Sequence, residues 1–336
     1  MEKMVIGKVE KHTTTTKSND MKRKIKLSIN EVTGTMTKMM KKETTKYETG
    51  RIPTIDISFD QYRPRKFGKY IEINGEKELI KGAIEEGLPL LIEGDKGIGK
   101  TMAIITVCAE MGCGIVPYAC SSGTTMGDIL GRTQLRGDNS VFELGVLPKS
   151  IEVANHFKRG ILYLDELSSL EPEIQKLLNP LIDDRREIVV NDKVYSIDKD
   201  VMYTVIASQN PIGYQGTNPL NEDLRSRFVG EAWRYPPSVQ IDKVIDWTDI
   251  DPKHRKQLLQ LATDTLSSRQ KGDVEYVISI RDIALFTRVY RMWKKKKDEK
   301  YLERSIHNGI LIKYAEISER ELIKTRAEET FGVKLE

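Results

Sequence analysis

The sequence predicts an α/β protein, a five-stranded parallel sheet sandwiched between helices and followed by an all-helical domain. Three observations carry this reading. Five short apolar runs recur between residues 88 and 235, separated by helical patterns or loops, which is the spacing of strands joined by crossovers. The first run leads straight into a glycine-rich loop and then a helical stretch. Past Pro236 and Pro237 the strand signals fade and amphipathic stretches take over.

The elements follow in order. Residues 1–57 form a basic N-terminal segment, rich in Lys and Thr, with the run Thr13 to Thr16 and the alternation Lys24-Ile25-Lys26-Leu27-Ser28-Ile29, which reads as strand; the segment is a tail or a small β element. Residues 58–237 hold the sheet. Glu76 to Glu86 is amphipathic and helical, Leu88-Pro89-Leu90-Leu91-Ile92 is the first buried strand, and Met102 to Met111 is the helix after the loop. Ile115 to Ala119, Ile161 to Leu164 and Met202 to Ala207 are further strands, and Glu231 to Tyr235 is a weaker one. In residues 238–336, Lys253 to Ser268, Arg281 to Lys295 and Tyr301 to Thr330 are predicted helices, with Lys294 to Lys297 a solvated face.

Composition excludes several classes. With 39% hydrophobic and 31% charged residues, and no apolar run near the ~20 residues that span a bilayer, the expected setting is the cytoplasm without a membrane. Cys108, Cys113 and Cys120 are odd in number and lack a C-x-x-C pair, so buried thiols are expected rather than a disulfide framework or a zinc site. Residues 1–50 hold 12 Lys+Arg against 6 Asp+Glu, out of 54 and 50 in the whole chain, so the basic surplus belongs to the N-terminal segment. That segment is either a solvated arm or a surface for nucleic acid or an acidic partner. No Ser-His-Asp, Cys-His or zinc-hydrolase constellation is visible.

Gly94-Asp95-Lys96-Gly97-Ile98-Gly99-Lys100-Thr101 fits G-x-x-x-x-G-K-[ST] completely. Its glycines let backbone N–H groups turn inward around phosphates, Lys100 reaches the β and γ phosphates, and the Thr101 hydroxyl ligates Mg²⁺. Such a loop needs a metal-binding carboxylate at the end of a neighbouring strand. Ile161-Leu162-Tyr163-Leu164-Asp165-Glu166 supplies Asp165 for the metal and Glu166 to polarise the attacking water. After a third strand, Asn210 in Ser208-Gln209-Asn210-Pro211 is either an amide for the γ-phosphate or lytic water, or a turn-forming residue before proline.

Gly94 to Thr101, Leu164-Asp165-Glu166-Leu167, Ala207-Ser208-Gln209-Asn210-Pro211, Gly216-Thr217-Asn218-Pro219-Leu220, Leu224-Arg225-Ser226-Arg227-Phe228 and Ser279-Ile280-Arg281 occur in this order. Together they resemble the MoxR-like AAA+ ATPases, close to the MoxR, CbbQ, GvpN and McrB-type group, over roughly residues 70 to 330. The resemblance implies an αβα ATPase core with a helical lid, ATP and Mg²⁺ as cofactors, and self-assembly into a ring, usually a hexamer, with ATP between subunits. It implies that Gly94, Asp95, Lys96, Gly97, Ile98, Gly99, Lys100, Thr101 and Met102 hold the nucleotide, that Asn210 is sensor 1 and Arg281 sensor 2. Arg227 is implied as the arginine finger reaching a neighbour's γ-phosphate, with Arg225 two residues away competing for that role. Two stretches look like the family's β-hairpin insertions: one between Gly131 and Leu147, with Gly137-Asp138-Asn139 as its turn, and Glu187 to Ile197, turning at Asn191-Asp192. Such hairpins face a ring pore or a partner, or are plain surface hairpins.

Relatives remodel or activate a partner protein complex, frequently one with a von Willebrand A domain, and the expected function here is a chaperone-like ATPase of that kind. The alternative is a McrB-like motor whose basic N-terminal segment binds DNA or RNA. The loop departs from the family pattern: Gly-Asp-Lys-Gly stands where Gly-Pro-Pro-Gly is usual, which leaves the phosphate-binding positions in place and changes the rigidity of the loop.

Overall fold

The computed structural model describes residues 52–65, 70, 72–211 and 218–335, apart from the side chain of Val239. Contacts divide the chain into Met1–Pro53 and Thr54–Glu336. The strand expected over Lys24 to Ile29 lies outside the described residues.

The second unit is built on five parallel strands. They are β1 (Leu90–Gly94), β2 (Gly114–Ala119), then, beyond a β3 (Gly131–Arg136) and β4 (Asn139–Leu144) hairpin, β5 (Arg159–Asp165); beyond a second hairpin of β6 (Glu187–Val190) and β7 (Lys193–Ser196) come β8 (Met202–Gln209) and β9 (Val229–Trp233). Their order in the sheet is β2-β5-β8-β1-β9. β1 therefore lies between β8 and β9, with Leu91 opposite Ala207 on one side and Gly230 on the other. This explains the hydrophobic run of β1, whose Leu90, Leu91 and Ile92 are all buried, and the weaker signal of β9, which has one neighbour and no fully buried residue. The predicted fold class, a five-stranded parallel sheet with flanking helices and a helical C-terminal region, is the one observed.

Helices α1 (Glu76–Glu86) and α2 (Lys100–Met111) share one buried cluster. Ile80, Ala83 and Ile84 from α1 and Ala103, Ile104, Val107 and Cys108 from α2 recur at helical spacing and close over Leu90, Ile92 and Ile206 of the sheet. All three cysteines are buried free thiols, and burial pushes Cys113 up to about 11 and Cys120 to about 12. Helix α3 (Val146–Phe157) packs against β2 and β5 so closely that Gly160 can carry no side chain: a Cβ there would lie 2.3 Å from the Ala154 Cβ and 2.5 Å from its Cα. Gly160→Ala is expected to lower stability by about 1–3 kcal/mol, the usual cost of overpacking, read as a shifted midpoint of chemical denaturation. Ala154→Gly in the same chain should recover part of it.

Both hairpins are present. The first turns at Gly137 and Asp138 alone, because Asn139 is already paired with Arg136, one residue more strand than expected. In the second, Asn191 and Asp192 take φ of 50° and 57°, the left-handed pair that a tight two-residue hairpin requires and that Asn and Asp tolerate. Its strands alternate, Ile188, Val190 and Tyr195 inward, Val189 and Val194 out.

Beyond the sheet come α4 (Ser238–Val244), α5 (Pro252–Lys271), α6 (Ile280–Lys295), α7 (Tyr301–Gly309) and α8 (Ile317–Phe331). They enclose a core of their own around Leu258, Leu261, Ile283, Phe286, Tyr290, Ile306 and Ile323. One expectation is corrected. Tyr301 to Thr330 is not a single helix but α7, a 3₁₀ turn at Leu311–Lys313, and α8. Gly309 presses on Phe286, and Ile310 leaves the helical region at φ −125°, ψ −66°, so that Ile310, Leu311 and Tyr314 can all be buried at once. The Arg320 guanidinium, donating to the Tyr314 carbonyl at 2.9 and 2.6 Å, holds the turn. Among the described residues no helix is long and apolar enough to cross a membrane.

Candidate active site

The carboxyl ends of β1, β5 and β8 lie side by side, so whatever follows each strand meets in one place. After β1 the chain makes the glycine loop. Gly97 and Gly99 take φ of 79° and 100°, and a Cβ on Gly97 would strike the Ser279 hydroxyl at 2.6 Å. The loop is thus shaped by glycine twice, for its backbone and for the close approach of α6. Lys100, 9% exposed, donates its ammonium protons to the carbonyls of Gly94 and Asp95, the latter at 3.0 Å, and burial lowers its pKa against the opposing pull of Asp165.

β5 ends on the first acid, Asp165, and the second, Glu166, follows it. Ser208 on β8 donates to Asp165 Oδ1. Glu166 has φ 58° and ψ 46°, left-handed for a residue with a side chain, at a cost of about 1–3 kcal/mol; its carboxylate lines the cleft. Lys96 Nζ lies 3.8 Å from Glu166 Oε1. After β8, Asn210 is 7% exposed and lines the same cleft.

The cleft, about 640 Å³, lies between the glycine loop, the strand ends and the helical region. Of the residues singled out in the sequence it brings together Lys96, Gly97, Ile98, Gly99, Lys100, Thr101, Met102, Asp165, Glu166, Asn210 and Arg281. Gly94 and Asp95 stand just behind: the Gly94 carbonyl is taken by Lys100, and the Asp95 carboxylate receives Arg269 Nη1 of α5 at 2.8 Å. Arg227 does not line this cleft. Its guanidinium pairs with Asp223 at 2.9 Å, and its Nε is buried without a hydrogen-bond partner among the described residues. Arg225 instead lines a smaller hollow of about 120 Å³ beside Asn210, Gln209 and Ser168. Of the motif Gly216 to Leu220, Gly216 and Thr217 lie outside the described residues, and the Asn218 backbone N–H donates to the Ser168 carbonyl at 2.6 Å.

Several participants were not read from the sequence. Tyr70, Ile73, Val244, Ile245, Ile280 and Ala284 give the cleft an apolar wall, supplied by segments on both sides of the sheet region, so no local motif announces it. Tyr163 passes as one more apolar residue of its strand, yet its hydroxyl sits 3.0 Å from Thr101 Oγ1 and 3.2 Å from Ser208 Oγ. Burial and the Asp165 charge raise the Tyr163 pKa, so the phenol keeps its proton.

A family model for AAA domains of the dynein-related subfamily matches residues 89–228, the stretch that carries the glycine loop, both acids, Asn210 and Arg227. The chain is 26% identical over 224 residues to the denitrification regulatory protein NirQ of Stutzerimonas stutzeri, covering 66% of this chain and 79% of that one. It is 28% identical over 214 residues to protein NorQ of Paracoccus denitrificans, covering 63% and 77%, and 25% identical over 205 residues to protein CbbQ of Hydrogenophilus thermoluteolus, covering 60% and 74%. Residues 89–228 match an AAA domain, and over most of its length the chain is similar to MoxR-like AAA+ ATPases. The cleft presents the glycine loop and Lys100 together with an apolar wall, a combination that suits the phosphates and the base of a nucleotide. The donor set beside the loop also suits Mg²⁺, since Thr101 and Asp165 present hard oxygens and such an ion takes only one or two protein ligands beside phosphate and water. When bound, that ion would neutralise charge on the phosphates.

Proposed function

We propose that this AAA+ ATPase couples Mg-ATP hydrolysis in an oligomeric ring to the remodelling or activation of a partner protein complex, with residues 58–237 as its core, residues 238–336 as its lid and the cytoplasm as its setting. The observation that carries the reading is the seating of one cleft between strand ends and lid. Lys100, Asp165, Glu166 and Asn210 come from the sheet side and Arg281 from α6, so a triphosphate held by the first group also bears on the lid. Loss of the γ-phosphate changes what Arg281 faces, and lid movement follows. Asp165 and Thr101 would hold the metal, Glu166 would orient and polarise the water, and Asn210 would hold that water or the γ-phosphate. The position of Arg227 outside its own chain's cleft supports a role toward a neighbouring subunit. Two similar proteins carry the description denitrification regulatory protein, which fits an ATPase acting on another protein.

The test is capture. Glu166→Gln protein, loaded with ATP and kept assembled, should retain its partner, identified by mass spectrometry, and release it on ADP exchange. A preparation that retains nothing, hydrolyses ATP without dependence on its own concentration, or is stimulated by DNA in a salt-dependent manner sinks the reading; the last result favours the nucleic-acid motor with its basic N-terminal segment.

A further inference from the structure

Beneath the cleft floor runs a chain of hydroxyls: Thr101 Oγ1, Tyr163 OH, Ser208 Oγ, Asp165 Oδ1. It joins the two side chains that would hold Mg²⁺ through two residues assigned no role above. Tyr163 and Ser208 are 1% and 0% exposed, so the bond between them is shielded from water, while the two outer bonds end on half-buried Thr101 and Asp165 at the cleft.

The direction of every bond is fixed from one end. An ionised carboxylate only accepts, so Ser208 donates to Asp165. With its single proton spent, Ser208 meets Tyr163 only as an acceptor, and the phenol proton points toward Ser208 and Asp165. Tyr163 then has lone pairs alone to offer, so Thr101 donates to it. The Thr101 proton is held inward, and its oxygen lone pairs face the cleft.

We propose that Tyr163 and Ser208 are positioning residues that orient the Thr101 hydroxyl and the Asp165 carboxylate as a preset pair of oxygen ligands for the nucleotide-bound metal ion. This rests on the Mg-ATP reading of the cleft. Without the phenol the Thr101 proton loses its inward acceptor and rotates toward the cleft, where it opposes a cation; without the serine hydroxyl Asp165 loses the bond that fixes its carboxylate plane. Groups in this relation to metal ligands typically alter metal affinity by about 10–100-fold.

The experiment uses the full chain with ADP and Mn²⁺ as a paramagnetic stand-in for Mg²⁺, metal binding being read by electron paramagnetic resonance. Nucleotide affinity in EDTA is measured in parallel. Tyr163→Phe is expected to weaken Mn²⁺ binding to the ADP complex about ten-fold with metal-free ADP affinity within two-fold of the parent. Ser208→Ala should do the same, Ser208→Thr should restore binding, and the double variant should be no worse than the poorer single one, as members of one chain are not additive. Unchanged Mn²⁺ affinity in Ser208→Ala overturns the proposal even if Tyr163→Phe fails to fold. Equal losses with and without metal also overturn it, because they mark a packing role. A parent protein that binds ADP no better with Mn²⁺ than without it removes the Mg-ATP reading itself, a result separable from the other two.

Discussion

Glu166→Gln is expected to abolish turnover while leaving nucleotide binding intact. The substitution keeps the shape of the side chain and removes its basicity. General-base assistance is worth about 10²–10⁴ in rate, or about 3–5 kcal/mol of barrier at 1.36 kcal/mol per factor of ten. The backbone supports this assignment. Glu166 holds a left-handed conformation at the junction of β5 and the turn Leu167–Ser169, and the carboxylate this conformation carries lines the cleft beside Lys96. A residue there for folding alone would be replaced by Gly or Asn at a gain in stability, since both relieve the strained φ. Phosphate release and nucleotide affinity, measured on the same preparation, check the expectation. Turnover within five-fold of the parent would show that another group takes the proton.

Arg227→Ala should reduce the activity of assembled protein by about 10³, the scale on which a guanidinium delivered to a transferring phosphoryl group acts. Nucleotide affinity of the single subunit should not move, because Arg227 does not line that subunit's cleft. Arg225→Ala is the comparison, since Arg225 faces the hollow next to Asn210 in its own chain. The decisive form of the measurement mixes two inactive variants. A subunit lacking Arg227 still has Glu166, and a subunit with Glu166→Gln still has Arg227. Where the first supplies the cleft and the second the guanidinium, hydrolysis should reappear on mixing. Silence in the mixture would place Arg227 in its salt bridge with Asp223 and nowhere else.

Much of this was legible in the sequence because it is local. A glycine loop between a buried strand and a helix, and two acids closing an apolar run, are written in consecutive residues, and periodicity located all five strands of the sheet. What escaped was written across distance or against type. Asp95 and Arg269 meet at 174 positions' separation, and nothing in either neighbourhood calls for the other. Tyr163 counts as apolar in any periodicity, and only its strand register shows a hydroxyl beneath Thr101. The division of Tyr301 to Thr330 into two helices answers to Phe286, on a different helix, so the local pattern read straight through it. Arg227 is a case apart: among the described residues its ion pair is with Asp223, and the role proposed for it lies toward a second chain, which no single chain displays.

Asp95 and Lys96 occupy the glycine loop where the family pattern it resembles has two prolines. Proline would stiffen the backbone by fixing φ; here the two side chains tie the loop down by charge, one to Arg269 of α5 and one to Glu166. The two ties differ in shelter, with side chains 24% and 26% exposed in the first and 65% and 47% in the second. Added salt therefore loosens the Lys96 tie first. On the proposed reading, an incoming polyphosphate would do the same by offering Lys96 a denser anion, and the carboxylate of Glu166 would be released as the nucleotide arrives.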